Sequence, residues 1–232
     1  MNTTDQNKDT EIIIDPLENS QLVRQVCGSA YDQMHQFYQK LEKEGEERGL
    51  IGPHESERLW ERHFLNSTAL VPFIQQEAQQ QYQRPLHIAD VGSGAGFPGI
   101  VLAIMLPNHH FTLIEPMERR IEWLNEVIAE LHLYNVTVHH LRAEDYQPKE
   151  SFDIVTCRAV ARLTKLVPWV LPLLHKNGKF IALKGKSAQQ EIDKAEKEIR
   201  KAKGTNPHAY PAPVAEGLEP TTVVTITKRY NA

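Results

Sequence analysis

The stretch that most constrains this chain is residues 88–99, which read Ile-Ala-Asp-Val-Gly-Ser-Gly-Ala-Gly-Phe-Pro-Gly. A short apolar run ends in Asp90 and enters a loop that holds four glycines in eight positions. Pro98 and the apolar residues 100–104 then predict the start of a helix. A strand, a glycine turn and a helix start let backbone N–H groups approach a nucleotide-like ligand closely. Glycine suits such a loop because a side chain would block the ligand and because tight turns often require a positive φ.

The spacing of the glycines indicates which ligand the loop binds. They follow the pattern Gly92-x-Gly94-x-Gly96, with Asp90 two residues before the first, whereas a dinucleotide loop reads G-x-G-x-x-G. This pattern is typical of methyltransferases that use S-adenosylmethionine, and it disfavours an NAD-dependent oxidoreductase. An acid at the strand end also suits a ligand with a sulfonium and an ammonium group better than it suits a pyrophosphate. We therefore predict cofactor contacts at Asp90, Gly92 and Gly94.

Length and composition predict one medium domain with an extension, since 232 residues can bury a substantial core. No stretch approaches the ~18 uninterrupted apolar residues of a membrane span, and the polar N-terminus excludes a secretory signal. The two cysteines, Cys27 and Cys157, lie far apart and form no metal-spaced cluster. We therefore expect a cytoplasmic protein without a metal or a membrane contact. Nothing in the sequence demands more than a monomer.

The net charge of −4 argues against a generic polyanion binder, but the charge is unevenly distributed. Residues 176–203 carry nine Lys and Arg side chains against four acids. This segment is either a phosphate-binding surface or a solvated helix face of mixed charge. We predict RNA contacts within 184–203.

The spacing of apolar residues divides the chain into three segments. They are a flexible leader (residues 1–15), an N-terminal helical extension (16–84) and a methyltransferase domain (85–232). In the extension, helical spacing runs from 16 to 47, either as two amphipathic helices or as one helix broken near Gly28, and again from 55 to 82.

Strands and helices alternate in the methyltransferase domain. We predict strands at 87–91, 110–115, 136–141, 152–157, 179–184 and 222–229, and helices at 98–106, 118–133, 162–174 and 187–203. The proline-rich stretch 207–220 predicts a loop that encloses at most one short strand. Such alternation implies an α/β, Rossmann-like fold with a mostly parallel sheet covered on both faces.

Ligands of such sheets bind at the carboxyl ends of the strands, so the charged residues there are candidate site residues. Glu115 ends the second strand, where it is either an acceptor for both ribose hydroxyls or an ordinary acid before a helix. Ala143 and Glu144 follow the third strand, where a backbone amide and an acid would read the adenine edge. Arg158 follows the fourth strand and either faces the methyl donor or a phosphate, or is an ordinary surface group.

One helical segment of the extension is unusually polar. Arg62, His63, Asn66 and Ser67 occur at i, i+1, i+4 and i+5, on adjoining helix faces. They either cap and solvate the helix or form a polar patch over the cofactor edge. Together with Lys184 at the end of the fifth strand, they are the candidates for positioning the substrate.

Four motifs along the chain resemble those of the RsmG (GidB) family, bacterial methyltransferases of small-subunit ribosomal RNA. They are Arg62-His63-x-x-Asn66-Ser67, residues 90–99, Arg158-Ala159-Val160-Ala161 and Leu183-Lys184-Gly185. The resemblance runs over about residues 20–229. Many members carry Asp where this chain has Asn66.

The resemblance implies a class I methyltransferase fold, with a seven-stranded sheet that contains one antiparallel strand and an N-terminal helical extension. It implies S-adenosylmethionine contacts at Gly92, Phe97, Ala143, Glu144 and Arg158. It also implies that the substrate is N7 of a guanine in the 530 loop of 16S rRNA in the small ribosomal subunit.

The chemistry of this substrate needs no general base. Guanine N7 has a free lone pair and no proton, so methyl transfer requires in-line alignment. We therefore predict that His63 is not a base, and that Arg62, Arg158 and Lys184 bind phosphate or the cofactor carboxylate. Phe97 either stacks on the target base or shapes the cofactor pocket.

Two other classes of protein fit parts of the pattern. One is a methyltransferase for a protein or a small molecule, which the acidic net charge favours, or a methyltransferase for another RNA. The other is a non-catalytic nucleotide-binding or RNA-chaperone module, which would bind the cofactor without transferring its methyl group.

Overall fold

The computed structural model of the chain describes residues 15–82, 84–149 and 151–229. Its centre is a sheet formed by β1 (His87–Val91), β2 (His110–Glu115), β3 (Val136–His140), β4 (Phe152–Thr156), β5 (Leu174–Lys184), β6 (Gly204–Ala212) and β7 (Thr221–Lys228). The strands lie in the order β3-β2-β1-β4-β5-β7-β6. Strands β1 to β5 are parallel, and β7 is antiparallel to both of its neighbours. This topology confirms the predicted seven-stranded, mostly parallel sheet with one antiparallel strand.

The helices are α1 (Gln21–Cys27), α2 (Tyr31–Glu44), α3 (Asn66–Thr68), α4 (Val71–Glu77), α5 (Gly99–Met105), α6 (Glu118–Glu130), α7 (Leu163–Val170), α8 (Ala188–Lys194) and α9 (Glu196–Lys201). A π-helix, Trp60–Leu65, runs directly into α3, and a second one, Ala78–Tyr82, follows α4. The predicted break in the first helical stretch is confirmed, because α1 ends just before Gly28, whose φ is 53°. Glycine adopts such a positive φ without strain.

The helical extension packs directly on the glycine loop. The Phe97 ring at the end of this loop lies 5.4 Å from the ring of Phe37 and 5.1 Å from that of Phe64. Trp60 stacks on Tyr38 at a centroid distance of 5.0 Å. Burying an aromatic side chain stabilises a fold by about 1.5–3 kcal/mol. These contacts therefore hold the extension against the glycine loop at the carboxyl ends of the strands.

Of the predicted leader, Asp15 is the one residue that the structure describes, and it is buried. Its Oδ2 accepts a hydrogen bond from the Trp60 N–H at 2.8 Å, and its Oδ1 accepts one from the Leu17 N–H at 3.0 Å. Residues 1–14 lie outside the described residues.

Three predicted boundaries need correction. Helix α7 ends at Val170 and is followed by a 3-10 helix, Leu171–Leu173, whose Pro172 has no N–H to extend the α-helical hydrogen bonds. Strand β5 then begins at Leu174 instead of 179. The helix predicted over 187–203 is divided at Ala195 into α8 and α9.

The third correction concerns the proline-rich stretch, which begins inside strand β6 rather than in a loop. Strand β6 lies at the edge of the sheet and pairs with β7 alone. An edge strand tolerates Pro207 and Pro211 because only one side of it needs N–H donors.

Candidate functional site

A cavity of about 440 Å³ opens where the carboxyl ends of the central strands meet the glycine loop. Eight of the predicted site residues line it: His63, Gly92, Gly94, Phe97, Glu115, Ala143, Glu144 and Arg158. The sheet therefore brings together residues that are widely separated in sequence, as the strand-end argument predicted.

The glycine loop forms the floor of this cavity. Gly92, Gly94 and Gly96 have φ angles of 70°, 58° and 110°, which are left-handed or more extreme conformations. A Cβ at Gly92 would lie 2.8 Å from the Val160 side chain, so the loop has no room there for a larger residue. The backbone, rather than side chains, is thus presented to a ligand.

Asp90 lies beneath the loop and does not line the cavity. Its Oδ2 accepts a hydrogen bond from the Gly99 N–H at 2.9 Å, which fastens the first turn of α5 to the end of β1. Burial raises the pKa of Asp90 to about 7. Its role in the structure is to hold the loop that a cofactor would contact.

Glu115 forms one wall and is buried at the end of β2. Its Oε2 accepts the Gly94 N–H at 2.9 Å and its Oε1 accepts the Met117 N–H at 3.0 Å. Each carboxylate oxygen has capacity for a further hydrogen bond. The predicted contact with ribose hydroxyls is compatible with this geometry and stays a prediction.

Arg158 also lines the cavity and is held by the extension. It donates from Nη1 to the Arg62 carbonyl at 2.9 Å, and its Nη2 lies 2.6 Å from His63 Nδ1. Its guanidinium also lies 5.0 Å from the centre of the Phe97 ring. Burial lowers the pKa of Arg158 to about 10, so the side chain remains a cation at neutral pH.

His63 is neutral in this arrangement. Burial, followed by the charge of Arg158, lowers the pKa of His63 to about 4. A guanidinium has only donors, so this hydrogen bond forms only with the tautomer in which His63 Nδ1 accepts and the ring proton resides on Nε2. His63 Nε2 lies 3.3 Å from Glu55 Oε2.

The side chains of four predicted positioning residues do not line the cavity. Arg62 contributes its carbonyl, while its side chain is half exposed. The Ser67 hydroxyl donates to the His63 carbonyl at 2.6 Å, and Asn66 begins helix α3. Lys184 pairs with Glu191 at 2.8 Å and donates to the Ala161 carbonyl at 2.9 Å.

Several cavity residues were missed by sequence reasoning. They are Leu50, Ile51, Met117, Arg120 and Trp169. Met117 and Arg120 follow a predicted strand end closely, a signal that could have found them. Leu50 and Ile51 come from a loop of the extension, and no local pattern connects that loop with the glycine loop.

Comparison with known proteins identifies the family. The family model "GidB: rRNA small subunit methyltransferase G" matches residues 30–213. The chain belongs to the GidB family. A curated relative from Bifidobacterium longum, named ribosomal RNA small subunit methyltransferase G, is 49% identical over 93% of this chain and 99% of its own length. A relative of the same name from Bifidobacterium adolescentis is 47% identical over 93% and 96%. The resemblance predicted from the motifs is thus confirmed.

Solved structures confirm the class I methyltransferase fold of this GidB chain. Ribosomal protein L11 methylase from Lactobacillus delbrueckii superposes with a TM-score of 0.54 at 16% identity, covering 78% of this chain and 81% of that one. An N1-methyltransferase for 1,6-didemethyltoxoflavin from Burkholderia thailandensis reaches 0.55 at 15% identity, covering 84% and 90%. At these identities the similarity concerns the fold alone.

The residues of the GidB cavity fit S-adenosylmethionine. Gly92 has no side chain, and a Cβ added there would lie 2.8 Å from the Val160 side chain. The backbone of the loop is therefore open to a ligand at this position. Glu115 supplies acceptors and Arg158 a cation, which match the hydroxyl groups and the carboxylate of this cofactor. Among the described residues, no helix is long and apolar enough to span a bilayer. Nor do any three His, Cys, Asp or Glu side chains of that part of the chain come together as metal ligands would.

Proposed function

We propose that this protein transfers a methyl group from S-adenosylmethionine to N7 of a guanine in the 530 loop of 16S rRNA. The observation that carries the proposal is the near full-length similarity, at 49% identity, to a protein named ribosomal RNA small subunit methyltransferase G. The cavity supports it, because the glycine cradle, Glu115 and Arg158 lie where a class I fold binds its ligand.

The residues of the cavity act by binding and orientation. The bound cofactor supplies an electrophilic methyl group, and guanine N7 supplies a lone pair without losing a proton. His63 is a poor base, because its pKa is lowered to about 4 and its Nδ1 already accepts from Arg158. Positioning therefore carries the rate acceleration. This agrees with the prediction that His63 is not a general base.

Phe97 belongs to the wall of the pocket. It is 4% exposed and packed between Phe37, Phe64 and the guanidinium of Arg158. It has no free face on which a base could stack, so of its two predicted roles the structure favours shaping the cofactor pocket.

The surface formed by helices α8 and α9 is our proposed RNA contact. Lys194, Lys197, Arg200 and Lys201 are exposed there. Lys184, at the start of this segment, is engaged with Glu191 and does not belong to that surface. Four exposed cations on one helix pair supply the sequence-independent part of phosphate binding.

We further propose that the protein acts as a cytoplasmic monomer on the small ribosomal subunit and requires no metal. The relatives named ribosomal RNA small subunit methyltransferase G support the ribosomal substrate of this proposal.

Transfer of a labelled methyl group tests the proposal directly. Unmodified small subunits and their naked 16S rRNA are incubated separately with labelled S-adenosylmethionine, and the label is mapped. Label at N7 of the 530-loop guanine is expected, and the better acceptor identifies the form that is modified. Cofactor binding without label on either acceptor would instead indicate another RNA or a small molecule as substrate, or a non-catalytic binding module.

A further inference from the structure

We propose that Glu55 is a positioning residue that acts through His63 to orient Arg158 at the cofactor cavity. The proposal rests on the proposed function, because it concerns the same cavity. Glu55 itself lies outside the cavity lining, at the start of the turn Ser56–Arg58.

The three side chains form a continuous chain of contacts. Glu55 Oε2 lies 3.3 Å from His63 Nε2, and His63 Nδ1 lies 2.6 Å from Arg158 Nη2. Glu55 is itself fixed, since its Oε2 accepts a hydrogen bond from the Gly52 N–H at 3.2 Å. His63 is 9% exposed, so water cannot readily replace either contact.

The charge of Glu55 determines its effect on His63. A carboxylate has no proton to donate, so at 3.3 Å it attracts a proton on Nε2 and favours the imidazole tautomer that carries its proton there. That tautomer leaves the Nδ1 lone pair free for Arg158. In the other tautomer, the Nδ1 proton would face an N–H of Arg158 across 2.6 Å, and the two donors would repel each other.

Loss of this acceptor would leave Arg158 less well held. Its other two contacts are the Arg62 carbonyl at 2.9 Å and the face of the Phe97 ring at 5.0 Å. Neither of these contacts fixes the rotation of the guanidinium as the hydrogen bond from Arg158 Nη2 to His63 Nδ1 does. Arg158 lines the cavity, so its orientation affects ligand affinity without any contact between Glu55 and the ligand.

The variant Glu55→Gln tests the tautomer directly. A glutamine amide can donate as well as accept, so it no longer selects the Nε2 proton. The ¹⁵N spectrum of His63 distinguishes the two protonated nitrogens. We expect the Nε2–H form in the wild type and a mixture in E55Q. A wild-type His63 that carries its proton on Nδ1 would overturn the proposal, whatever the variants do.

Affinity for S-adenosylhomocysteine, measured by calorimetry, provides the second readout. We expect E55Q to weaken binding about tenfold, which corresponds to about 1.4 kcal/mol. The matched control is Glu57→Gln in the same turn, which pairs with the exposed His54 at 3.1 Å and should bind normally. Equal affinity in E55Q and the wild type would contradict the proposal.

A double-mutant cycle separates positioning from simple support of the turn at Gly52. His63→Asn retains an acceptor near the Nδ1 position but cannot reach Glu55. If Glu55 acts through His63, E55Q should weaken binding no further on the H63N background. An undiminished effect there would show that Glu55 acts by another route. Wild-type protein that binds no S-adenosylhomocysteine would instead refute the proposed function, so the two failures are distinguishable.

Discussion

Replacing Asp153 by asparagine should destabilise the protein without affecting its chemistry. Asp153 is buried in β4, near the amino ends of the strands. Its Oδ1 and Oδ2 accept from Arg84 Nη2 and Nη1 at 2.8 and 2.9 Å, and Oδ2 also accepts the His87 N–H at 2.8 Å. His175 Nε2 bonds to Oδ1 as well. Asparagine keeps the shape and one acceptor but removes the charge.

The magnitude follows from burial. Removing one partner of a buried ion pair costs about 3–5 kcal/mol. The side chains of Arg84 and His175 are 48% and 30% exposed, so water recovers part of their solvation. We therefore expect Asp153→Asn to lower the free energy of unfolding by about 2–3 kcal/mol. For a chain of this length, that lowers Tm by about 4–12 °C.

The pH dependence has a definite sign. Burial alone would raise the pKa of Asp153, but hydrogen bonds from His175, Arg84 and the His87 N–H hold it below its usual range. Its contribution is present above the unfolded-state pKa of about 4 and is lost as pH falls through the folded-state value. The Asp153 hydrogen bond raises the pKa of His175, whose contribution is present below about pH 6.5 and lost as pH rises. The difference between wild type and variant should be largest between about pH 4 and 6.5.

Urea unfolding followed by circular dichroism, at about pH 5.5 and about pH 8, measures this difference. Methyl transfer by the folded variant should equal that of the wild type, since the cavity lies at the carboxyl ends of the strands. A difference below about 0.5 kcal/mol at both pH values would refute the energetic reasoning. A weakened affinity of the folded variant for the cofactor would refute the claim that Asp153, at the amino ends of the strands, acts independently of the cavity at their carboxyl ends.

Three further predictions concern the cavity and the RNA surface. Gly92→Ala should weaken binding of S-adenosylhomocysteine at least about tenfold, because φ is 70° and the added Cβ would lie 2.8 Å from a valine side chain. Gly185→Ala, with no atom within 4 Å of the added Cβ, is the control that calorimetry should show to be neutral. Titration of His63 should not affect the pH profile of kcat between about 6.5 and 9, because the pKa of His63 is lowered to about 4; a bell shape that shifts in His63→Ala would contradict this. Charge reversal at Lys194 and Lys201 should reduce the slope of substrate affinity against salt by about two, and an unchanged slope in filter-binding assays would remove α8 and α9 from the RNA surface.

Local patterns predicted the α/β core well because each of its elements depends on short-range physics. The alternation of apolar runs located the parallel strands, and the glycine loop has the positive φ angles that its composition predicted. The edge strand β6 was predicted only as a possible short strand within a loop, because proline lowers strand propensity in general, whereas its cost at an edge depends on which N–H groups are paired. That pairing is a property of the whole sheet.

The polar patch of the extension was predicted with the wrong geometry for a different reason. The prediction assumed α-helical spacing, but Trp60–Leu65 is a π-helix, in which each residue advances by a smaller angle. His63 faces the cavity, whereas Ser67 lies in α3 and its hydroxyl bonds to the His63 carbonyl four residues earlier. No propensity marks such a π-helix in the sequence, because tertiary packing decides whether it forms. Leu50 and Ile51 were missed for the same non-local reason.

The partners of Arg158 explain how a cation can serve beside a cationic cofactor. Its three described contacts are a carbonyl, a neutral imidazole and an aromatic face, none of which is an anion. Neutral acceptors orient the guanidinium without pairing with its charge, and the carboxylates of Asp90 and Glu55 act on that charge from a distance. An anionic group of a bound ligand can therefore still pair directly with Arg158, which supports our prediction that Arg158 binds the cofactor carboxylate. Since His63 must stay neutral for this, its lowered pKa is a requirement of the site as well as a consequence of burial.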